Sequence, residues 1–399
     1  MSSLRIQSHT RLLQSLHNAS PAIDKYKLSL WTIMNFAGQM SGYKLPGLNY
    51  ANNWPGGAKA YAQTQAAWSQ ATGQLQGWAD STLSNLVALP TYLINSGQQV
   101  VSPGLASSVS LAGQLINDPT NNFLKSTLLN NLSGLSTSFT QYSSRINTIV
   151  ISLQSEATEF DKYATLMQQI SVDALKTAGN AKQTIIEANA KIEALRKDIT
   201  TQAWTIAGGS IATIAGIGMG ILGIFLAPVT GGMSLALLVP AALIGAGGVY
   251  IITLAAQKIV ADKAAIDLLL NQIDSTNQDI VALNSMSGTL KGFSDQMDSL
   301  KSDLSNVVAP WIDAKTYIDQ TNQELINMEN ASSSDWQAVQ TELMQIQTSW
   351  GSFEAIMAQL KADASVAPTS GLTVGMDENQ VRAAMANSPK VPIAQYIAF

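Results

Sequence analysis

The sequence predicts an all-α fold, an elongated bundle of long antiparallel helices carrying a small hydrophobic head hairpin, and three observations predict it. An apolar or small residue recurs every three or four positions from Leu128 to Ile199, which is the helical period. A second stripe has Ile259, Ile266, Ile273 and Ile280 at intervals of seven, interleaved with Leu269, Leu283, Leu290, Met297 and Leu304. Between the two stripes, Ile199 to Gln257 form 59 consecutive residues without one Asp, Glu, Lys, Arg or His.

Composition narrows the function classes. The 399 residues are 46% hydrophobic and only 12% charged, about half the ~25% charged share of ordinary soluble chains, which excludes intrinsic disorder. With no cysteine there is no disulfide framework, thiolate metal site or Cys nucleophile. A net charge of -5 gives no general basic surface, so no nucleic-acid partner is expected.

Taken in order, the chain opens with Arg5, His9, Arg11 and His17 scattered through Met1 to Ser20, without the apolar run of a cleavable secretory signal. Ala22 to Met40 reads as a helix after Pro21, followed by a loop through Gly42, Pro46, Pro55, Gly56 and Gly57. Ala58 to Leu89 is an Ala- and Gln-rich helix with Trp68 and Trp78, ended by Pro90; a shorter piece, Leu105 to Ile116, follows. Asn117-Asp118-Pro119 supplies a capping Asp and a Pro for the first helical position of the next helix. From Phe123 to Ile199 that helix would be a rod of about 115 Å at ~1.5 Å per residue.

The return limb begins at Lys258; at Met286 one row slips by a residue and continues through Phe293, Leu300 and Val307, and the limb is expected to stop before Pro310. Trp311 to Met328 is another helix, and Ser334 with Gln337 forms a capping-box pattern opening a last one to Leu360. Trp and Met side chains on these segments are assigned to the core. The expected organisation is a helical stalk of 1–198 and 258–365, a head of 199–257, and a tail of 366–399 that is packed on the bundle or mobile.

The uncharged block divides at Pro228-Val229-Thr230-Gly231-Gly232, where Pro228, Gly231 and Gly232 make the hairpin turn. Each arm exceeds the ~20 residues that cross a ~30 Å hydrocarbon core as a helix. The first arm offers Trp204, Ile206, Ile211, Ile214, Ile217, Met219, Ile221, Leu222, Ile224, Phe225 and Leu226 for membrane insertion. The second offers Leu235, Leu237, Leu238, Val239, Leu243, Ile244, Val249, Tyr250, Ile251, Ile252 and Leu254. Gly208, Ala212, Gly216 and Gly220 recur every four residues, the small-residue face that lets helices approach closely in lipid. Eleven of the 28 glycines fall in this block, and each weakens a helix in water by roughly 1 kcal/mol, so the head is either helical or a β-tongue before it meets lipid. Pro240 in the second arm removes a helix hydrogen bond.

Catalytic chemistry is not visible. His9 and His17 lack the carboxylates or thiols of a metal site and read as surface residues. Gly216, Gly218, Gly220 and Gly223 mimic a dinucleotide loop but have no preceding strand and no following acidic residue. Glu156 with Glu159, and Glu187 with Glu193, fall on polar helix faces and are read as solvated. No enzymatic activity, cofactor or metal is expected.

A long all-α stalk with an uncharged hairpin between two heptad limbs, here Leu128 to Ile199 and Ile259 to Leu304, resembles the α-helical pore-forming toxins. That family includes cytolysin A, the haemolysin BL and non-haemolytic enterotoxin components of Bacillus, and tripartite toxins of Gram-negative bacteria. The resemblance implies a secreted soluble form that hides its hairpin, then inserts it in a target-cell lipid membrane and assembles as a homo-oligomer. Between Ala203 and Ala256 the hairpin has only Thr205, Ser210, Thr213, Thr230, Ser234 and Thr253 as Ser or Thr side chains, too few for a wet lumen, so the chain looks like the hydrophobic B-type lytic component, acting with other toxin components. A resident two-span membrane protein and a membrane-contacting adhesin or needle-tip protein have the same hydropathy.

Overall fold

The computed structural model describes residues 3–23, 25–26, 29–30, 33, 37, 56–206, 241–242, 264–328, 331–358, 365–368 and 391–392. Its helices are α1 (Ser3–His17), α2 (Gly57–Trp78), α3 (Ser84–Ser96), α4 (Ser102–Asn117), α5 (Asn122–Leu175), α6 (Lys182–Ile206), α7 (Ser275–Asn327) and α8 (Ser333–Ala358). Strands β1 (Ala241–Ala242), β2 (Ser365–Pro368) and β3 (Val391–Pro392) form a small antiparallel ribbon in that order. The all-α expectation holds, with this ribbon as its one addition among the described residues. Two compact units divide the chain: Met1–Tyr26, Asn85–Ser152 and Lys301–Lys361 form the first, and Lys27–Ser84, Leu153–Leu300 and Ala362–Phe399 the second.

In the first unit, residues 122–152 of α5 lie antiparallel to residues 301–327 of α7. Asn322 Nδ2 donates to Ser133 Oγ at 2.7 Å, Ser136 Oγ donates to Asp319, and the Tyr142 and Trp311 rings meet edge-on at 5.1 Å. Helix α8 runs antiparallel to α4, with Gly113 against Gln340 and Gly97 against Glu354. Five rings, those of Phe139, Tyr142, Trp311, Trp350 and Phe353, interlock here, with Trp311 and Trp350 edge-on at 4.7 Å. Such pairs add about 0.5–1.5 kcal/mol each beyond burial. At Gly104 a Cβ would sit 2.6 Å from Leu135 Cδ2, so a larger residue there forces the buried Leu135 side chain to shift, and the Gly104 carbonyl accepts from Asn131 Nδ2 at 2.8 Å.

In the second unit, residues 153–175 of α5 run antiparallel to residues 276–300 of α7. Ser294 Oγ donates to the Ala157 carbonyl and Ser287 Oγ to the Ala164 carbonyl, both at 2.8 Å, so two bonds repeat one heptad apart on each helix. Ser171 Oγ donates to Asn284 Oδ1 one heptad further along α5. Met286, Phe293 and Leu300, the slipped row of the sequence, are fully buried. The Phe293 ring meets Phe160 at 4.7 Å and Trp78 at 5.1 Å, edge-on in both cases.

Several boundaries differ from expectation. Helical structure does not stop at Pro90: residues 57–117 are helical throughout, with π-helical turns at Ala79–Leu83 and Gly97–Val101. Pro90 cannot donate to the Leu86 carbonyl one turn back. The buried Tyr26 hydroxyl donates to that carbonyl instead, at 3.3 Å, which removes the main penalty for a mid-helix proline. Nor does α7 stop before Pro310, because Val307, Val308, Trp311 and Ala314 on either side are all buried and their packing outweighs one lost backbone bond. Trp311 to Met328 is therefore the continuation of the return limb and not a separate helix.

Caps also shift. Asn121, not Asp118, starts α5, its Oδ1 accepting from the Leu124 amide at 3.0 Å. The box that opens α8 joins Ser332 to Asp335, not Ser334 to Gln337: the Ser332 amide donates to Asp335 Oδ2 at 2.9 Å, and the Asp335 amide to Ser332 Oγ at 3.3 Å. The rod expected from Phe123 to Ile199 is broken at 176–181, where Gly179 adopts φ +55°. The return limb is broken at 271–274, after which Asp274 Oδ1 caps α7 by accepting from the Asn277 amide at 2.9 Å.

Tyr26→Phe is expected to strip the Leu86 carbonyl of its donor and lower stability by about 1–3 kcal/mol. In a Pro90→Ala background, where an amide replaces the hydroxyl, the same change is expected to cost less than half as much. Denaturant unfolding of the four proteins in this cycle measures both values.

Candidate functional site

The predicted membrane-inserting residues begin at the end of α6, whose last turn carries Trp204 and Ile206. The other named residues of the first arm, the turn residues Pro228, Gly231 and Gly232, the small face Gly208, Ala212, Gly216 and Gly220, and the named residues of the second arm lie outside the described residues. Within the second arm, Ala241 and Ala242, which follow Pro240 in sequence, are extended as strand β1. Their partners come from the predicted tail: Ala241 pairs with Pro368 and Ala242 with Ala367, and Val391 pairs with Val366 on the far side of β2. The arm is thus strand at this point, and these tail residues pair with the uncharged block. Among the described residues no helix is long and apolar enough to cross a membrane.

Below the block, both limbs are interrupted in the second unit. One heptad beyond the Ser171–Asn284 bond, residue 178 falls opposite residue 277, so the break at 176–181 and the break at 271–274 lie at nearly the same height along the paired limbs. Ile185, Ala188 and Ile192 on α6, and Ile266, Leu270 and Ile273 on the return side, are buried.

Glu156 and His9 depart from the solvated reading, and Glu354, which the sequence did not single out, is half-buried. Glu156 accepts from Thr82 Oγ1 at 2.9 Å at the π-helical turn, while its Oε2 is buried with no hydrogen-bond partner among the described residues. Burial pushes its carboxyl up to about 7, against the lowering effect of the Thr82 hydrogen bond. Glu159 stays on the surface with Lys162. Glu354 is enclosed in the first unit, its Oε1 accepting from Ser102 Oγ and Trp350 Nε1, both at 2.9 Å.

His17 is exposed as expected, whereas His9 faces the Tyr317 ring at 5.6 Å, next to the buried Arg5. Sequence patterning missed His9 because the α1 stripe is partly polar: Arg5, Ser8, Leu12 and Leu16 form its buried face. That spacing of three and four was itself the available signal. Among the described residues no group of three or more His, Cys, Asp or Glu is placed to hold a metal ion.

Folded-state protonation of Glu156 carries a definite pH dependence. A carboxyl pushed up to about 7 when folded, from an ordinary value of 4.5, stabilises the fold below pH 4.5 and loses that contribution as the pH rises through 7. Glu156→Gln is expected to remove this loss, so the variant gains stability over the parent at pH 8 and little at pH 5. Paired thermal melts at the two pH values check it.

Comparison with known proteins adds the fold. No protein-family model matches the sequence, and no curated protein matches it. Solved structures do. Soluble SmhA of the tripartite α-pore forming toxin Smh of Serratia marcescens superposes with a TM-score of 0.60 at 14% identity, over 87% of this chain and 93% of that one. The HblL1 toxin component of Bacillus cereus gives 0.58 at 14% identity, over 87% and 96%. Soluble AhlB of the tripartite toxin AHL of Aeromonas hydrophila gives 0.56 at 14% identity, over 96% and 99%. The chain has the fold of the α-pore-forming toxin components.

Proposed function

We propose that this protein is a component of a pore-forming toxin, a secreted chain that inserts the hydrophobic block 199–257 into a target-cell membrane, oligomerises there, and acts with partner components. The observation that carries the reading is a 59-residue uncharged block set between two paired heptad limbs, in a chain with the fold of tripartite-toxin components. The fold alone would leave the activity open, and the block alone would suit any membrane hairpin. Together they favour conditional insertion.

The driving force is burial of apolar surface at ~25 cal/mol per Å², opposed by loss of the packing that shelters the block in water. Glycine supports such a change of state, because eleven glycines in the block weaken any helix it forms before lipid encloses it. Scarcity of hydroxyl side chains in the block supports a hydrophobic anchor in preference to a lumen lining, hence the assignment to the B-type role and the need for a partner that supplies polar surface.

Vesicle flotation with dye release tests the proposal, using protein purified without detergent and an Ile214→Asp/Ile217→Asp variant, at the middle of the first arm, whose helical content matches the parent. Each aspartate costs about 2.5–3.5 kcal/mol at the bilayer centre, so flotation is expected to fall about a thousandfold or more. Parent protein that floats, with weak leakage alone, is the expected result. Efficient leakage from the single chain overturns the partner assignment, flotation without leakage in any combination favours an adhesin, and insolubility without detergent favours a resident membrane protein.

A further inference from the structure

Helix α1 is held to the first unit in an unusual way. Among its described side chains, the buried face contains two large apolar ones, Leu12 and Leu16, and two polar ones, Arg5 and Ser8. Half of that described face is therefore polar, in a helix of 15 residues. The polar half belongs to a cluster. Arg5, 0% exposed, reaches Glu324 of α7 through Nη1 at 2.9 Å and Glu342 of α8 through Nε and Nη2, both at 3.3 Å. Tyr317 Oη of α7 donates to Glu342 Oε2 at 3.0 Å, closing the cluster across both helices. Further along α1, Arg11 pairs with the buried Asp313 of α7 at 2.9 Å.

His9 sits one turn after Arg5, inside this arrangement. Its ring lies against Tyr317, and its Nε2 is buried with no hydrogen-bond partner among the described residues. Among the described residues, Arg5 on α1, Tyr317 on α7 and Glu342 on α8 act on it directly, while Glu324 and Asp313 of α7 pair with the flanking Arg5 and Arg11. Both carboxylates of the inner cluster are already engaged by Arg5, and Glu342 also by Tyr317. A proton added to His9 therefore places a second cation one turn from Arg5, beside a Glu342 that Arg5 and Tyr317 already engage, with no acceptor at Nε2 among the described residues.

We propose that protonation of His9 unlatches α1 from α7 and α8, so that the N-terminal helix is docked at neutral pH and released on acidification. The inference stands on the geometry of the first unit and is independent of the toxin reading. Burial depresses the His9 imidazole below its ordinary 6.5, with Arg5 adding to the depression and Glu342 opposing it. A depressed histidine contributes stability above pH 6.5 and loses it as the pH falls through the folded-state value. Acid is therefore the releasing direction. For a one-proton switch the released population rises by at most about tenfold per pH unit.

The chain has no cysteine, so two introduced ones can be labelled without background. Gln7→Cys and Thr341→Cys, both at exposed positions, report the α1–α8 distance by pulsed electron paramagnetic resonance; Gln114→Cys with Thr341→Cys reports α4–α8 as a control. Between pH 8 and pH 5 the first pair is expected to gain a long, broad population while the control pair stays fixed. His9→Gln is expected to abolish the change and His17→Gln to leave it intact; His9→Phe, which keeps a ring against Tyr317, serves if the Gln variant does not fold. A first-pair distance that is constant or shortens on acidification overturns the proposal. So does a transition that persists in the His9 variants, or one in which both pairs move together.

Discussion

Ser287 and Ser294 on α7 place their hydroxyls directly on the Ala164 and Ala157 carbonyls of α5, and that contact requires the two backbones to approach closely. Alanine on one side and serine on the other leave no bulk between the helices at these heptad positions. The hydroxyls are buried, and bonding to a carbonyl already in the helix ladder satisfies them without opening that ladder. Once this seam sets the separation and register, the larger side chains have fixed places. Phe293 falls between Phe160 and Trp78, and the slipped row of Met286, Phe293 and Leu300 turns fully inward. Larger residues at the serine positions would displace every one of these contacts.

The long-range plan was legible because heptad spacing on two limbs and a charge-free block between them are large, redundant signals. Phe139, Phe160, Leu283 and Leu290 could be assigned to the core from spacing alone, and all are buried. Local punctuation was less legible. Pro90 and Pro310 are strong breakers in isolation, yet Tyr26 supplies a donor at the first and buried neighbours hold the helix together at the second. Nothing adjacent in sequence announces a hydroxyl 60 residues upstream. Conversely, Gly179 and Asp274 break the limbs in places where the apolar stripe continues unperturbed, because a stripe reports which face is buried and is silent about a short kink that preserves the face.

The polar interior was the least legible part. Glu156, Glu354 and Arg5 look like ordinary surface charges when read one helix at a time. Arg5 is buried and the two glutamates half-buried against partners on other segments: Thr82 for Glu156, Ser102 for Glu354, and Glu324 with Glu342 for Arg5. Arg5, Asp279 and Asp313 are buried, so part of an already sparse charge is withdrawn from the exterior. Exposed Phe123, Ile151, Leu268 and Ile326 are part of that exterior. In the uncharged block, Ala241 and Ala242 pair with the tail, a long-range contact that no local pattern announces.

The interruptions at 176–181 and 271–274 give the second unit a mechanical character that an unbroken rod would lack. A continuous α-helix transmits torsion along its whole length, since each peptide is tied to the next turn. In the links the ladder changes: the Lys176, Thr177, Ala178 and Ala181 amides donate to carbonyls three residues back, and so do those of Gln272 and Ile273. Such three-residue bonds have poorer geometry than the α-helical kind, so torque applied to either limb meets a softer coupling there than in the regular helix beside the serine seam.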